Sequence, residues 1–165
     1  MTKAELLPKI AGLLLQSGFA RVHPDARETN ARAAMEALAG LPSYEQLWVG
    51  DLRQGVQVVA LASGERLPGV ELARRAPLLA ERARALSARV KGQVQVLQLV
   101  AYDRPVPRQE RDFVLGKARV AGFLPFTRGK VATWILALAE PALHTARLRG
   151  WPAELGADQL RALVA

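Results

Sequence analysis

The chain contains no cysteine. That excludes a structural disulfide, a thiol nucleophile and a thiolate metal site, and it leaves the redox compartment unread, with a cytosolic location as the default expectation. Long apolar runs are missing as well. The longest, Val131 to Ala139, is about half of what a helix needs to cross a bilayer. The N-terminus carries Glu5 early and lacks the apolar stretch of a cleavable signal. A soluble, unprocessed protein is expected. Aromatic residues make up only 5% of the 165 residues, against 50% hydrophobic and 23% charged. This is ordinary globular composition at a length that supports one domain with a real core, and it excludes disordered, collagen-like and disulfide-scaffold architectures.

Acidic residues are scarce in one region. Residues 1–50 hold five basic and five acidic side chains, and residues 131–165 hold three basic residues for three acidic ones counted with Glu140. Residues 66–130 hold fourteen basic and five acidic groups, a local net of +9 that accounts for the whole +8 of the protein. A regional field of one sign steers partners of the opposite sign. Eighteen of the twenty-three basic residues are Arg in a chain rich in Ala, Leu, Gly and Pro. Codon usage accounts for Arg over Lys better than for the sign imbalance.

The order of elements follows from periodicity. Thr2 and Glu5 form the T-x-x-E pattern of a capping box, and Leu6, Leu7, Ile10, Leu13, Leu14 and Leu15 recur at helical spacing up to Ser17-Gly18, with Pro8 near the start. A short extended piece over residues 19–23 precedes Pro24, and residues 26–39 read as a polar-faced helix or a loosely held insert. Tyr44 to Val49 and Val56 to Ala62 read as two hairpin strands around the turn residues Gly50 to Gly55. Leu72, Leu79, Ala83, Leu86 and Val90 line one face of a helix over residues 70–91. Val94 to Tyr102 is nearly continuous apolar sequence, as expected of a central strand buried on both faces. A helix over 107–121, a strand over Lys130 to Ala139, and short helices over 142–149 and 156–164 complete the chain. The fold class is therefore α/β: a single-domain α/β sandwich over 1–165 with a mixed sheet, a hairpin plus parallel central strands. Residues 24–43 are the insert or polar helix and 141–165 a C-terminal helical extension.

Catalytic motifs are few. Ser17, Ser43, Ser63 and Ser87 stand in no G-x-S-x-G setting, and His23 and His144 share no motif with a serine and an acid. The stretch Gly122 to Lys130 lacks a phosphate loop's first Gly, since Leu124 stands there, and has Val131 in place of its Ser or Thr. Open sheets bind ligands beyond the carboxyl ends of their parallel strands. That rule selects Asp103 and Glu140, with Asp51 at the hairpin tip as a third carboxylate, as a candidate Mg²⁺ or Mn²⁺ site. Local reasons account better for two of them, Asp103 as a turn residue and Glu140 at a helix N-terminus. The basic residues form a second candidate. Arg74, Arg75, Arg82 and Arg89 fall within an arc of about 100° beside the apolar face of one helix. Arg108, Arg111, Lys117 and Arg119 follow on the next, with Arg104 before them. Such a track follows phosphates or meets an acidic protein or membrane surface. Glu71, Glu81, Glu110 and Asp112 neutralise part of it, and the interleaved aromatics of single-strand binders are missing.

Two resemblances bear on function. The element order is similar to that of the restriction-nuclease-like fold, in which an acid on one strand is followed by E-x-K or D-x-K on the next. Here Val56-Gln57-Val58-Val59-Ala60 carries neither acid nor Lys, so nuclease activity is not implied. Residues 8–140 also resemble the cytosolic domain that precedes the membrane core of some bacterial rhomboid proteases, through Ser17-Gly18-Phe19, Leu47-Trp48-Val49, Val56 to Leu61, an Arg-rich helix and Val96-Leu97-Gln98-Leu99-Val100-Ala101-Tyr102. The departures are the insert from Pro24 to Ser43 and the absence of a membrane segment. The resemblance implies a non-catalytic sensing or adaptor domain, with no protease residue carried over. The first reading is thus an interaction or regulatory domain whose basic region 66–130 meets an anionic partner, without a cofactor. Nucleic-acid binding through the same region is the second, and a metal-dependent enzyme on Asp51, Asp103 and Glu140 the third.

Overall fold

The computed structural model describes residues 1–22, 29–38, 44–52, 55–65, 71, 74, 78, 81, 82, 85, 86, 93–109, 111, 112, 129–140, 142–144 and 157–164. The first helix, α1 (Lys3–Gln16), starts where the sequence directs it. Thr2 accepts a hydrogen bond from the Glu5 backbone N–H, and the Glu5 carboxylate accepts one from the Thr2 N–H, so the capping box is complete. Pro8 lies inside the helix without ending it. Termination is a Schellman motif: the Phe19 N–H reaches the Leu14 carbonyl at 2.9 Å, the Gly18 N–H reaches Leu15 at 3.1 Å, and Gly18 takes φ +82°, which a β-carbon disfavours. Phe19 and Leu14, the residues flanking that turn, are buried in the same cluster.

Six strands form one sheet in sequence order: β1 (Ala20–Arg21), β2 (Gln46–Leu52), β3 (Gly55–Ser63), β4 (Gln93–Tyr102), β5 (Gly129–Ala137) and β6 (Ala142–His144). β1, β2 and β3 are joined antiparallel, β3, β4 and β5 run parallel, and β6 returns antiparallel to β5. The α/β architecture with a hairpin and parallel central strands follows, and β4 is central, with residues 94–102 buried throughout. Helix α2 (Thr29–Leu38) precedes β2, and α3 (Ala157–Val164) follows the sheet. Glu71, Arg74, Leu78, Glu81, Arg82, Ala85 and Leu86 are helical in the first crossover, between β3 and β4. In the second, between β4 and β5, Arg108, Gln109, Arg111 and Asp112 are helical.

Alternation along the strands sorts the core into two faces. Val59, Leu61, Leu97, Leu99, Ala101, Trp134 and Leu136 join Trp48, and Leu6, Ile10 and Leu14 of α1 cover them together with Leu160 of α3. The opposite face carries two separate clusters. Val49, Val56, Val58, Val94 and Val96 meet Ala34 of α2 and Leu86 of the first crossover. Ala62, Val100, Tyr102, Ile135 and Ala137 meet Val106 at the start of the second.

Two expectations need correction, and two are sharpened. The strands of the hairpin run further than their β-rich sequence suggests, pairing Gly50, Asp51 and Leu52 with Gln57, Val56 and Gly55, because backbone pairing continues past the apolar residues. Residues 142–144 are a strand rather than the start of a helix, since the open edge of β5 at Ile135 to Ala137 supplies them with partners; His144 is therefore on an edge strand. The C-terminal helix expected over 156–164 is found at Ala157–Val164, with Leu160 fully buried beside α1. Of the two readings of residues 26–39 the helix is the one found, over Thr29–Leu38, with Ala34 fully buried against Val49 and its neighbours.

Candidate basic interface

The carboxyl ends of β3, β4 and β5 lie together at one end of the sheet, because the three strands run parallel in close register. Asp103 and Glu140, just beyond β4 and β5, are both at that end and both exposed. Asp51 is not. Its register partner Val56 stands beside Val94, eight residues before Tyr102, so Asp51 is about 26 Å away along the sheet. The hairpin reverses the chain, and its tip therefore falls at the amino ends of the parallel strands. Among the described residues no group of three or more histidines and acids is gathered closely enough to hold a metal ion. The proposed carboxylate trio is thus divided between the two ends of the sheet.

What Asp103 does instead is structural. Its carboxylate accepts a hydrogen bond from the Lys3 backbone N–H at 3.1 Å, and its own N–H donates to Glu65 at 2.9 Å. The Lys3 ammonium donates to Ser63 Oγ at 2.7 Å, and that hydroxyl donates to Glu65 at 2.7 Å. The network pins the start of α1 to the carboxyl ends of β3 and β4. Desolvation pushes the Glu65 carboxyl up, but the Ser63 hydroxyl, the N–H groups of Asp103 and of Glu65 itself, and the Lys3 charge outweigh it and hold the group below the usual carboxylate range. Glu5 is lowered too, by the hydrogen bonds of its capping box. The sequence shows Ser63 and Glu65 only as turn residues; nothing in it joins them to Lys3 sixty residues earlier.

Next to this network Gly64 lies flat against the buried Tyr102 ring, where a β-carbon would come within 2.3 Å. Arg104 sits over the same ring at 5.8 Å, a cation–π distance.

The basic residues are placed by the topology. β3, β4 and β5 lie side by side in that order, so two right-handed crossovers must pass over the same face. Leu86 from the first and Val106 from the second both pack on the face of Val94, Val96, Val100 and Tyr102. The described parts of the two crossovers, with Arg74, Arg82, Arg108 and Arg111, are therefore on the side of the sheet opposite α1 and α3. Arg74 and Arg82 are exposed while Leu86 is buried. Arg74 is joined to Glu71 at 2.9 Å, and Arg108 and Arg111 both approach Asp112, at 3.5 and 3.9 Å. With Arg108 85% exposed, pairs of this kind exchange easily for other anions. Arg75, Arg89, Lys117 and Arg119 lie outside the described residues, so the structure locates four of the eight proposed binding residues.

No family model matches this chain, nor does any curated protein or solved structure. Function must be argued from the arrangement itself. Among the described residues no helix is long and apolar enough to cross a membrane.

Proposed function

We infer that the protein is a non-catalytic interaction or regulatory module that presents a basic layer, built on the two crossovers, to an anionic partner. The observation that carries this reading is the common seating of Leu86 and Val106, which puts both crossovers on one face of the sheet. Charge that is merely regional in sequence becomes a layer in space, where it acts as one field. The rhomboid-type resemblance of residues 8–140 points the same way, toward an adaptor. An enzyme built on the three carboxylates finds less support, given their separation.

A second reading, nucleic-acid binding, is favoured by the predominance of Arg among these groups, since the guanidinium fork matches phosphate oxygens. Fluorescence anisotropy with labelled single-stranded and duplex nucleic acid, repeated at about 50 and 200 mM salt, tests it. A track of five phosphate contacts on duplex DNA gives a log–log salt slope of about −4 to −5. Replacing Arg74, Arg75, Arg82 and Arg89 by Ala is expected to lower affinity and slope together. Absence of nucleic-acid binding at low salt assigns the layer to an acidic protein or lipid surface, and retention of every partner by the quadruple variant refutes the layer altogether.

A further inference from the structure

Arg111 is a cation poorly matched by its surroundings. Its side chain is only 28% exposed, yet among the described residues the anion beside it is Asp112, whose Oδ1 stands 3.9 Å from Arg111 Nε, beyond hydrogen-bond distance. Polar groups withdrawn this far from water ordinarily have their donors satisfied, and a guanidinium has five. Arg108, three residues earlier and 85% exposed, approaches the other oxygen of the same carboxylate, with Nε 3.5 Å from Oδ2. One carboxylate thus stands within 4 Å of two guanidiniums and, among the described residues, is hydrogen-bonded to neither. The turn that carries the pair is fixed in place. The Arg111 N–H donates to the Pro107 carbonyl at 3.0 Å, and Val106, just before it, is buried on the crossover face of the sheet.

We propose that Arg108 and Arg111 form a surface site for a phosphomonoester dianion, with Asp112 holding the two guanidiniums beside each other until the phosphate takes its place. The site lies within the basic layer and rests on that reading. A phosphomonoester carries nearly two negative charges at neutral pH and three terminal oxygens, enough to engage both guanidinium forks. A phosphodiester has one charge and two such oxygens, which a single fork satisfies, and a carboxylate has no more. Exposed ion pairs of this length hold weakly, so displacing Asp112 costs little. The hydrogen bonds that Arg111 lacks are those the phosphate supplies, and a planar fork already seated on an anchored turn loses little freedom in making them.

The experiment titrates the full ¹⁵N-labelled chain with phenyl phosphate, dimethyl phosphate and acetate in turn, at neutral pH and constant ionic strength. It follows the Arg111 Nε–H resonance and the backbone amides of residues 108, 111 and 112. A saturable shift with phenyl phosphate, well beyond that with the other two, is expected. Asp112→Asn is expected to tighten phenyl phosphate by about fivefold, the repulsion of two unit charges about 4 Å apart in water. Asp158→Asn makes the same change of charge on α3, where Asp158 meets Arg161 at 2.7 Å, and is expected to leave the affinity unchanged. Arg111→Lys keeps the charge but removes the fork, so it is expected to weaken binding. Equal shifts with acetate or dimethyl phosphate overturn the proposal, as does equal tightening by the two Asp variants or full affinity in Arg111→Lys. If no probe moves the signals while nucleic-acid or acidic-ligand binding still falls when Arg74 and Arg82 are replaced by Ala, the site is refuted and the basic layer stands; loss of both refutes both.

Discussion

The two faces of the sheet are built differently. The α1 face carries one apolar cluster running from Trp48 to Leu138 beneath two helices, with the buried Gln57 and Gln95 at its hairpin end. The crossover face is divided into two clusters, and between them, at the midpoint of β4, Gln98 is fully buried and accepts a hydrogen bond from the Tyr44 hydroxyl at 2.9 Å. A continuous core resists change as a unit, whereas a divided one leaves its covering elements less committed to the sheet. In sequence the charge is uneven too, since α1 carries Lys3, Glu5 and Lys9 while residues 66–130 hold a net +9. One face is the scaffold, and the other is the one on which the proposed interface is built.

The strongest way to break this comparison is to cut into each core. Leu97→Ala removes a fully buried side chain from the centre of the α1 face and is expected to cost about 2–5 kcal/mol in denaturant unfolding, as large-to-small changes do where the surroundings cannot collapse. Leu86→Ala, in the smaller cluster beneath an exposed helix, is expected near the lower end of that range. A larger loss at Leu86 than at Leu97 would reverse the assignment of scaffold and surface.

A smaller effect comes from pH. Glu65 and Glu5 both have carboxyls held below their ordinary range in the folded protein. A carboxyl lowered by folding stabilises the native state while it is ionised, so the contribution is present above the unfolded carboxylate range and is lost as the pH falls through the folded value. Acid unfolding is thus expected to loosen the start of α1 first. Glu65→Gln should flatten the decline in melting temperature between neutral and acid pH; an unchanged pH profile would show that the network from Lys3 to Asp103 contributes nothing.

Much of the fold was legible because the chain states it locally. The capping box at Thr2 and Glu5, the Ser17-Gly18 stop and the apolar run of β4 all rest on residues within a few positions of one another. What was not legible depends on register between distant strands. Asp103 follows a strand and Asp51 stands at a hairpin tip, and only the antiparallel pairing of β2 with β3 places them at opposite ends of the sheet. Residues 142–144 have too little sequence to declare a strand and take that form from the edge of β5. Gln57, Gln95 and Gln98 interrupt apolar runs, a signal in plain view, but burial decides whether such a residue faces water or the core, and burial is a tertiary fact.

The smallest change in stability gives the sharpest test of the division between the faces. Lys9, on α1, and Arg82, on the first crossover, are both exposed cations. Reversing either charge is expected to alter stability by no more than about 0.5 kcal/mol, as surface substitutions away from caps and cores do. Their effects on association should nevertheless part company. Arg82→Glu removes one positive charge from the layer and adds a negative one, so it should slow capture of an anionic partner and weaken its salt dependence, whereas Lys9→Glu changes a face that no field is focused on. Association rates measured for the two variants against the same acidic ligand at low salt make the comparison with the fold held constant. Equal slowing by both would mean that only net charge matters, and that seating the crossovers together on one face has no consequence for binding.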